Sequence, residues 1–108
     1  MHVYLGLTDH ARARDEIVFM FISKSDYGGC FPILHSAYPF LKYDSYISCG
    51  SLIFYSRPFM RGARAQTVGA ISPADLAALR NHLIDHDYMV AWQIKVACNA
   101  LKAFAPPP

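Results

Sequence analysis

The 108-residue chain has little charge and no apolar segment long enough to cross a bilayer. Charged residues make up 17% of it, below the roughly 25% of an average globular protein. Its longest unbroken apolar run, Ile17 to Ile22, has six residues, whereas a membrane helix needs about 20. The N-terminus lacks a basic segment followed by a cleavable apolar one. We therefore expect a cytoplasmic protein that is neither inserted in a membrane nor secreted.

Cysteine and metal-binding patterns are also scarce. Cys30, Cys49 and Cys98 are odd in number and widely spaced, which argues against a disulfide framework and a paired zinc motif. His82 and His86 have the spacing of metal ligands, but the glutamate of the pattern His-Glu-x-x-His is absent. A solvated pair near a helix end is the simpler interpretation. The sequence predicts neither a metal nor another cofactor.

Apolar residues, in contrast, are abundant, at 54% of the chain. The net charge of +2 is too small to draw nucleic acid to the whole protein, so such binding would need a local basic cluster. Some apolar surface is expected to meet a partner. The length predicts one domain over residues 1–104, followed by a disordered proline-rich tail over residues 105–108.

Strand patterns fill the first two thirds of the chain. Segment 16–23 is apolar at nearly every position, which is typical of a central strand covered on both faces. A break at Cys49-Gly50-Ser51 predicts a tight hairpin between two strands, and Tyr38 to Leu41 is expected to be extended. The predicted strands cover residues 3–8, 16–23, 43–48, 52–55 and 64–70.

From Ser72 onward the apolar residues follow the period of helices. Ser72 as N-cap and Pro73 in the first turn predict a helix that ends near residues 85–87, with Leu79, Leu83 and Ile84 on its apolar side. A second helix follows from Val90 to Leu101. The fold class is therefore α+β: a small, strongly bent antiparallel sheet, or half-open barrel, of about five strands followed by two C-terminal helices.

The string Pro39-Phe40-Leu41-Lys42, followed by Ser45-Tyr46-Ile47 and preceded by two hydrophobic strands, resembles small MazF/PemK-like proteins of toxin–antitoxin systems. The resemblance implies an SH3-like barrel that forms a homodimer and binds an antitoxin or another protein. It also implies a metal-independent endoribonuclease that acts on single-stranded RNA.

The same resemblance implies catalytic positions. In the family a hydroxyl residue ends the apolar strand, and Ser23 matches it. The family's arginine is delivered by a Gly-x-x-Arg-Pro loop that is absent from this sequence, and Arg12 and Arg14 on the first link would replace it. The alternative is that Ser23 only ends a strand and that both arginines are solvated turn residues.

A basic loop is the candidate ligand site. Residues 57–64 contain Arg57, Arg61 and Arg64 around Phe59, so that guanidinium groups can pair with phosphates and the ring can stack on a base. Three further residues of the central strands, Lys42, Tyr43 and Tyr46, would extend this surface. The loop is equally suited to an acidic partner peptide, or it is merely solvated.

Four tyrosines suggest a polar and aromatic pocket on the central strands, with His35 and Asp44 beside them. The set comprises Tyr38, Tyr43, Tyr46 and Tyr55. Two hypotheses follow from these observations. One is the endoribonuclease; the other is a non-catalytic protein-binding module on the same barrel, such as an inhibitor encoded by a phage or mobile element.

Overall fold

The computed structural model describes residues 1–8, 10, 12, 14–26, 29–63, 66–86 and 88–104. An open antiparallel sheet of five strands comes first and helices follow, which confirms the predicted fold class. The strands are β1 (His2–Thr8), β2 (Glu16–Ser23), β3 (Phe31–Ile33), β4 (Ser45–Ile47) and β5 (Ile53–Ser56). The helices are α1 (Arg57–Gly62), α2 (Pro73–Asp85) and α3 (Ala91–Ala100), and a 3₁₀ turn spans Lys102–Phe104. Within these ranges no helix has the length and hydropathy of a membrane span.

Strand β2 is the centre of the sheet, as predicted. It pairs with β1 along one edge, and the first four residues of β2, Glu16 to Phe19, pair with β5 along the other edge. The last two residues of β2, Ile22 and Ser23, pair with β4, which pairs in turn with β3. Every pairing is antiparallel, so no crossover helix is required inside the sheet.

The predicted hairpin between β4 and β5 is wrong. Both strands run antiparallel to β2 and follow one another along its same edge, with Ile47 opposite Ile22 and Ile53 opposite Phe19. The chain advances six residues from Ile47 to Ile53 while β2 advances three, so three residues bulge out of the ladder. Within this bulge the Leu52 N–H donates to Gln93 Oε1 of α3 over 2.9 Å.

Two other predicted segments also differ from the structure. Residues 66–70 form no strand, and the rest of that prediction, Arg64 and Ala65, lies outside the described residues. Residues 57–62 were predicted as loop but form α1, because Ser56 caps the helix by accepting the Phe59 N–H and Pro58 lies in the first turn. The strand β3 replaces the missing strand, so the predicted number of strands still holds.

The core lies between the inner face of the sheet and the helices α2 and α3. Leu79 and Leu83 of α2 are buried in it, as predicted, whereas Ile84 is 53% exposed and does not belong to the apolar side. Met20, Ile47 and Leu79 are entirely inaccessible to solvent. The predicted N-cap is confirmed, since Ser72 accepts the Asp75 N–H at the start of α2. The predicted tail, residues 105–108, lies outside the described residues.

Candidate functional site

Burial alternates along β2, so only one face of this strand is covered by the rest of the chain. Val18, Met20 and Ile22 are buried, which places them on the inner face. The residues between them and beyond them point the other way. These outward positions are Ile17, Phe19, Phe21 and Ser23. The expectation that β2 is covered on both faces is therefore wrong for this chain by itself.

The outward side of the sheet is lined by aromatic rings from four elements. Cross-strand partners share a face, and β1 places Tyr4 opposite Phe19 and His2 opposite Phe21. On the other edge Tyr55 of β5 lies opposite Ile17, and Phe59 follows on α1. We call this surface the aromatic face. Its rings are those of His2, Tyr4, Phe19, Phe21, Tyr55 and Phe59.

The rings of the aromatic face form a continuous series of contacts. Phe59 stacks on Tyr55 with centroids 4.8 Å apart, and Tyr55 meets Phe19 edge to face at 5.6 Å. Phe19 in turn meets Tyr4 at 5.7 Å. Much of this surface is open to solvent, since Tyr4 is 66%, Phe59 56% and Phe21 40% exposed. Planar groups can therefore stack on it without displacing protein.

His2 belongs to this series as a ring rather than as a cation. It contacts Phe19 and Phe21 edge to face, each at 5.7 Å, and Tyr55 at 6.0 Å. His2 is exposed, but its partial desolvation against these rings lowers its pKa, and the neighbouring N-terminal ammonium lowers it further. The imidazole is consequently neutral at neutral pH.

Two arginines border the aromatic face. Arg57 and Arg61 are four residues apart on α1 and so lie on the same side of the helix. They line an open groove of about 430 Å³, whose other walls are Tyr4, Leu7, Ile17 and Met60. In β1, β2, β5 and α1, all of which are described, the one acidic residue is Glu16. It lies two residues before the buried Val18 and therefore on the inner face of β2. The outward side therefore carries positive charge without nearby acid from these elements.

A second group of predicted residues lies at the far end of β2. Ser23 pairs with Tyr46, and the Lys24 ammonium sits 5.7 Å from the centre of the Tyr43 ring. Lys42 is exposed beside Tyr43. The eight residues of β2 span roughly 23 Å at about 3.3 Å per residue. The two lysines thus lie near the end of β2 that is opposite to Arg57 and Arg61.

The three predicted catalytic residues are not brought together within one chain. Ser23 ends β2, whereas Arg12 and Arg14 lie on the link before its first residue. The Arg12 guanidinium is 5.9 Å above the Trp92 ring of α3, and Ser23 Oγ accepts the Ser25 N–H over 3.1 Å. A phosphate in contact with Ser23 is therefore about one strand length from both arginines.

The predicted tyrosine pocket is not formed, because its members are distributed over the molecule. Tyr38 is 6% exposed, and its hydroxyl donates to the Asp75 carboxylate and meets Ser72 Oγ at 3.1 Å. Its segment is a turn rather than extended, since the Leu41 N–H donates to the Tyr38 carbonyl. Tyr55 belongs to the aromatic face and Tyr43 to the far end of β2. Nearby, the His35 N–H donates to Asp44 Oδ1 over 2.9 Å.

The histidine pair forms contacts within the protein. His82 Nε2 donates to the Gly29 carbonyl over 2.8 Å, and His86 Nδ1 donates to the His82 carbonyl over 3.0 Å. Within the described part of the chain, no three His, Cys, Asp or Glu side chains form a group that could hold a metal. Burial and the nearby Cys30 raise the pKa of Cys49 to about 12, which keeps this thiol protonated and unreactive near neutral pH.

Sequence reasoning identified the arginines and missed most of the rings. Arg57, Phe59 and Arg61 were predicted ligand contacts, and α1 brings them to the edge of the aromatic face; Arg64 lies outside the described residues. The rings missed were His2, Tyr4, Phe19 and Phe21. These rings occupy every second position, His2 and Tyr4 in β1 and Phe19 and Phe21 in β2. In β2 the positions between them are apolar as well, so the alternation could not be seen in the sequence.

Comparisons with protein-family models, with curated proteins and with solved structures find no match. What the protein binds therefore has to follow from the residues of the site.

Proposed function

We propose that the protein binds single-stranded RNA along the aromatic face. Bases stack on the exposed rings of Tyr4, Phe21 and Phe59, and phosphates pair with Arg57 and Arg61 at one end. Lys24 and Lys42 supply positive charge at the other end. The single observation that carries this proposal is the stacked pair Tyr55–Phe59, in which Phe59 is 56% exposed and lies on the same short segment as both arginines.

The physical basis is the match between this surface and unpaired nucleotides. Stacking of a base on an aromatic side chain is worth about 1–3 kcal/mol and tolerates any base, because every base has a π face. Sheets that present aromatic rings bind single strands in this way, whereas a duplex keeps its base faces covered. Arginine adds bidentate pairing with phosphate.

The resemblance to MazF/PemK-like proteins supports RNA as the ligand and adds cleavage as an expectation. Cleavage by Ser23 together with Arg12 or Arg14 would require these residues to act on one phosphate. Since they lie at opposite ends of β2, that step needs a second copy of the chain to supply one of them. A homodimer would satisfy this condition.

Binding is tested with fluorescently labelled single-stranded RNA and anisotropy measurements. Phe59→Ala should weaken binding by about tenfold or more through loss of one stacking contact, and the double variant Arg57→Ala/Arg61→Ala should weaken it further. If all four cations contact phosphates of the RNA, a plot of the logarithm of the binding constant against the logarithm of the salt concentration should have a slope of about −3. The matched control is Lys95→Ala, which removes an exposed cation of α3 on the other side of the sheet. Equal affinities for all variants would refute the proposal.

Cleavage is tested separately by incubating the same RNAs with purified protein in the presence of a chelator. Products that disappear in Ser23→Ala and in Arg12→Ala/Arg14→Ala would support the endoribonuclease hypothesis. RNA that is bound but stays intact at every protein concentration would contradict it, and would leave binding as the activity.

A protein partner on the same face is the second candidate function. The observation in its favour is the exposure of Leu7 (51%) and Phe21 (40%), which adds aliphatic and ring surface beyond the stacking positions. One such partner is a second copy of the chain, and light scattering of the RNA-free protein tests for it by measuring the molecular mass in solution. A dimer that is disrupted by Phe21→Ser would favour this function, and a monomer would count against it.

A further inference from the structure

We propose that a cleft between β1 and α3 binds one neutral, planar heteroaromatic ring of nucleobase size. The cleft contains none of the rings of the aromatic face, shares Leu7 with the arginine groove, and has a volume of about 230 Å³. Roughly 150 Å³ is enough to hold benzene, so one substituted ring fits. Its lining residues are Leu5, Gly6, Leu7, Thr8, His10, Val18, Val96, Asn99 and Ala100.

An irregularity in β1 opens the cleft. Tyr4 pairs with Phe19 and Gly6 with Val18, so Leu5 has no partner in the register and forms a bulge. Gly6 has a φ of +121°, which L side chains rarely adopt, and no atom lies within 4 Å of where a Cβ would be. Backbone polar groups at the bulge are therefore not all used in the ladder, and the space beside them is open.

The lining has the chemistry of a site for a neutral ring. Val18 and Val96 are buried apolar side chains against which the faces of a ring can pack. None of the lining residues that the structure describes is Asp, Glu, Lys or Arg, so the described part of the lining offers no counter-charge to a phosphate, a carboxylate or an ammonium group. A nucleobase is neutral, planar and carries hydrogen-bonding groups on its edge.

Three polar side chains can read that edge. The Asn99 amide offers both donors and an acceptor from the exposed side of α3. His10 Nδ1 accepts the Arg12 N–H over 3.2 Å, so the neutral imidazole carries its proton on Nε2 and can donate it. The ring of His10 is held in place by Trp92, whose centroid is 5.1 Å away. The Thr8 hydroxyl accepts the His10 N–H over 3.2 Å and retains a proton to donate.

The test is titration of ¹⁵N-labelled protein with the four common ribonucleosides, followed by two-dimensional NMR, with ribose as the control ligand. Nucleosides should shift the resonances of Gly6 and the Asn99 side-chain amide, and ribose should not. Shifts absent from these resonances up to the solubility of every nucleoside would overturn the proposal.

Variants on α3 test the site without altering the strained glycine. Ala100→Leu fills the cleft with a residue that favours helix and should abolish the shifts. Asn99→Ala should weaken binding by up to about tenfold through the loss of its hydrogen bonds, while Lys95→Ala should leave it unchanged. Shifts of equal size in Ala100→Leu would overturn the assignment of the ring to this cleft.

The ring can come from a free nucleoside or from a base of bound RNA, and Phe59→Ala distinguishes the two. If this variant no longer binds oligonucleotides but nucleosides still shift the Gly6 and Asn99 resonances, the cleft binds free bases independently of the aromatic face. If the oligonucleotide shifts Gly6 in the unmodified protein and not in Phe59→Ala, the cleft receives a base of a bound strand. The NMR titration with nucleosides does not require RNA to bind, so either proposal can be refuted while the other stands.

Discussion

Replacement of Tyr38 by phenylalanine should destabilise the protein strongly although it removes a single oxygen atom. The hydroxyl donates to the Asp75 carboxylate, lies 3.1 Å from Ser72 Oγ and accepts the Ser72 N–H over 3.1 Å. These contacts join the turn after β3 to the first turn of α2. The phenylalanine ring would keep the apolar burial of Tyr38, which is 6% exposed, so the loss is that of the hydrogen bonds.

The expected magnitude follows from the type of bond that is lost. A hydrogen bond to a charged group contributes about 1.5–3 kcal/mol and a neutral one about 1 kcal/mol. Asp75 and Ser72 both reach solvent in part and would recover some hydration, so the free energy of unfolding should fall by about 2 kcal/mol. At about 2.1 cal/mol/K per residue, 108 residues give an unfolding entropy of roughly 230 cal/mol/K. The melting temperature should therefore fall by about 9 °C.

Urea unfolding followed by the fluorescence of Trp92, the one tryptophan of the chain, measures this loss. Tyr43→Phe is the matched control, because Tyr43 is 52% exposed, and its effect should stay within about 0.5 kcal/mol. If Tyr38→Phe and Tyr43→Phe have the same unfolding midpoint, the contact between the turn and α2 does not stabilise the fold, and the reasoning is refuted.

Three further predictions concern two groups with shifted pKa values and one strained glycine. The folded-state pKa of Cys49 is raised from 9.0 to about 12 by burial and by the neighbouring Cys30 thiol, so stability should fall as the pH rises from 9 towards 12. Cys49→Val should remove this part of the pH dependence in urea titrations, and identical pH profiles would contradict it. The pKa of His2 is lowered by desolvation and, to a smaller extent, by the N-terminal ammonium, so its titration followed by proton NMR should have a midpoint below 6.5. Acetylation of the N-terminus removes the second cause and should raise that midpoint in part. A midpoint at or above 6.5 would show that the ring is not shielded. Gly29→Ala should lower the free energy of unfolding by about 1 kcal/mol or more, because φ is +73° and the new Cβ would lie 2.5 Å from the Tyr88 ring. The control is Gly50→Ala, whose Cβ would meet no atom within 4 Å and which should leave the melting temperature nearly unchanged. Equal melting temperatures for the two variants would refute this account.

The elements that could be predicted from the sequence are those with local signals. The start of α2 follows from Ser72 and Pro73, since a cap and a proline act on the amides of their own helix turn. The central position of β2 follows from its continuous apolar run. The same local reasoning failed to predict α1, although Ser56 and Pro58 form a comparable cap, because three arginines suggested a loop.

Strand pairing could not be predicted in the same way. A small-residue break after Ile47 has the composition of a hairpin turn, yet β5 continues along the edge of β2 instead of folding back. In the bulge between the two strands, Leu52 donates its N–H to Gln93 of α3, which is 41 residues away in the chain. A contact of that separation leaves no pattern in the strands themselves.

The composition of the candidate site was visible in the sequence, and its location was not. Arginines beside Phe59 indicated a phosphate-binding segment before any fold was known. The sequence could not show that Phe59 stacks on Tyr55, or that Tyr4 lies opposite Phe19. Both facts depend on register, and a shift of one residue would turn every ring of β1 to the core.

The sequence by itself determined the class of the fold, the central strand and the two C-terminal helices, because these depend on apolar periodicity and on caps that act within a few residues. Only the tertiary structure decided which side chains share a surface. Pairing of β1 and β5 with β2 gathers distant rings into the aromatic face, and the bulge at Leu5 opens the cleft beside α3. Such long-range contacts are chosen by the packing of the whole core, so no short stretch of residues encodes them.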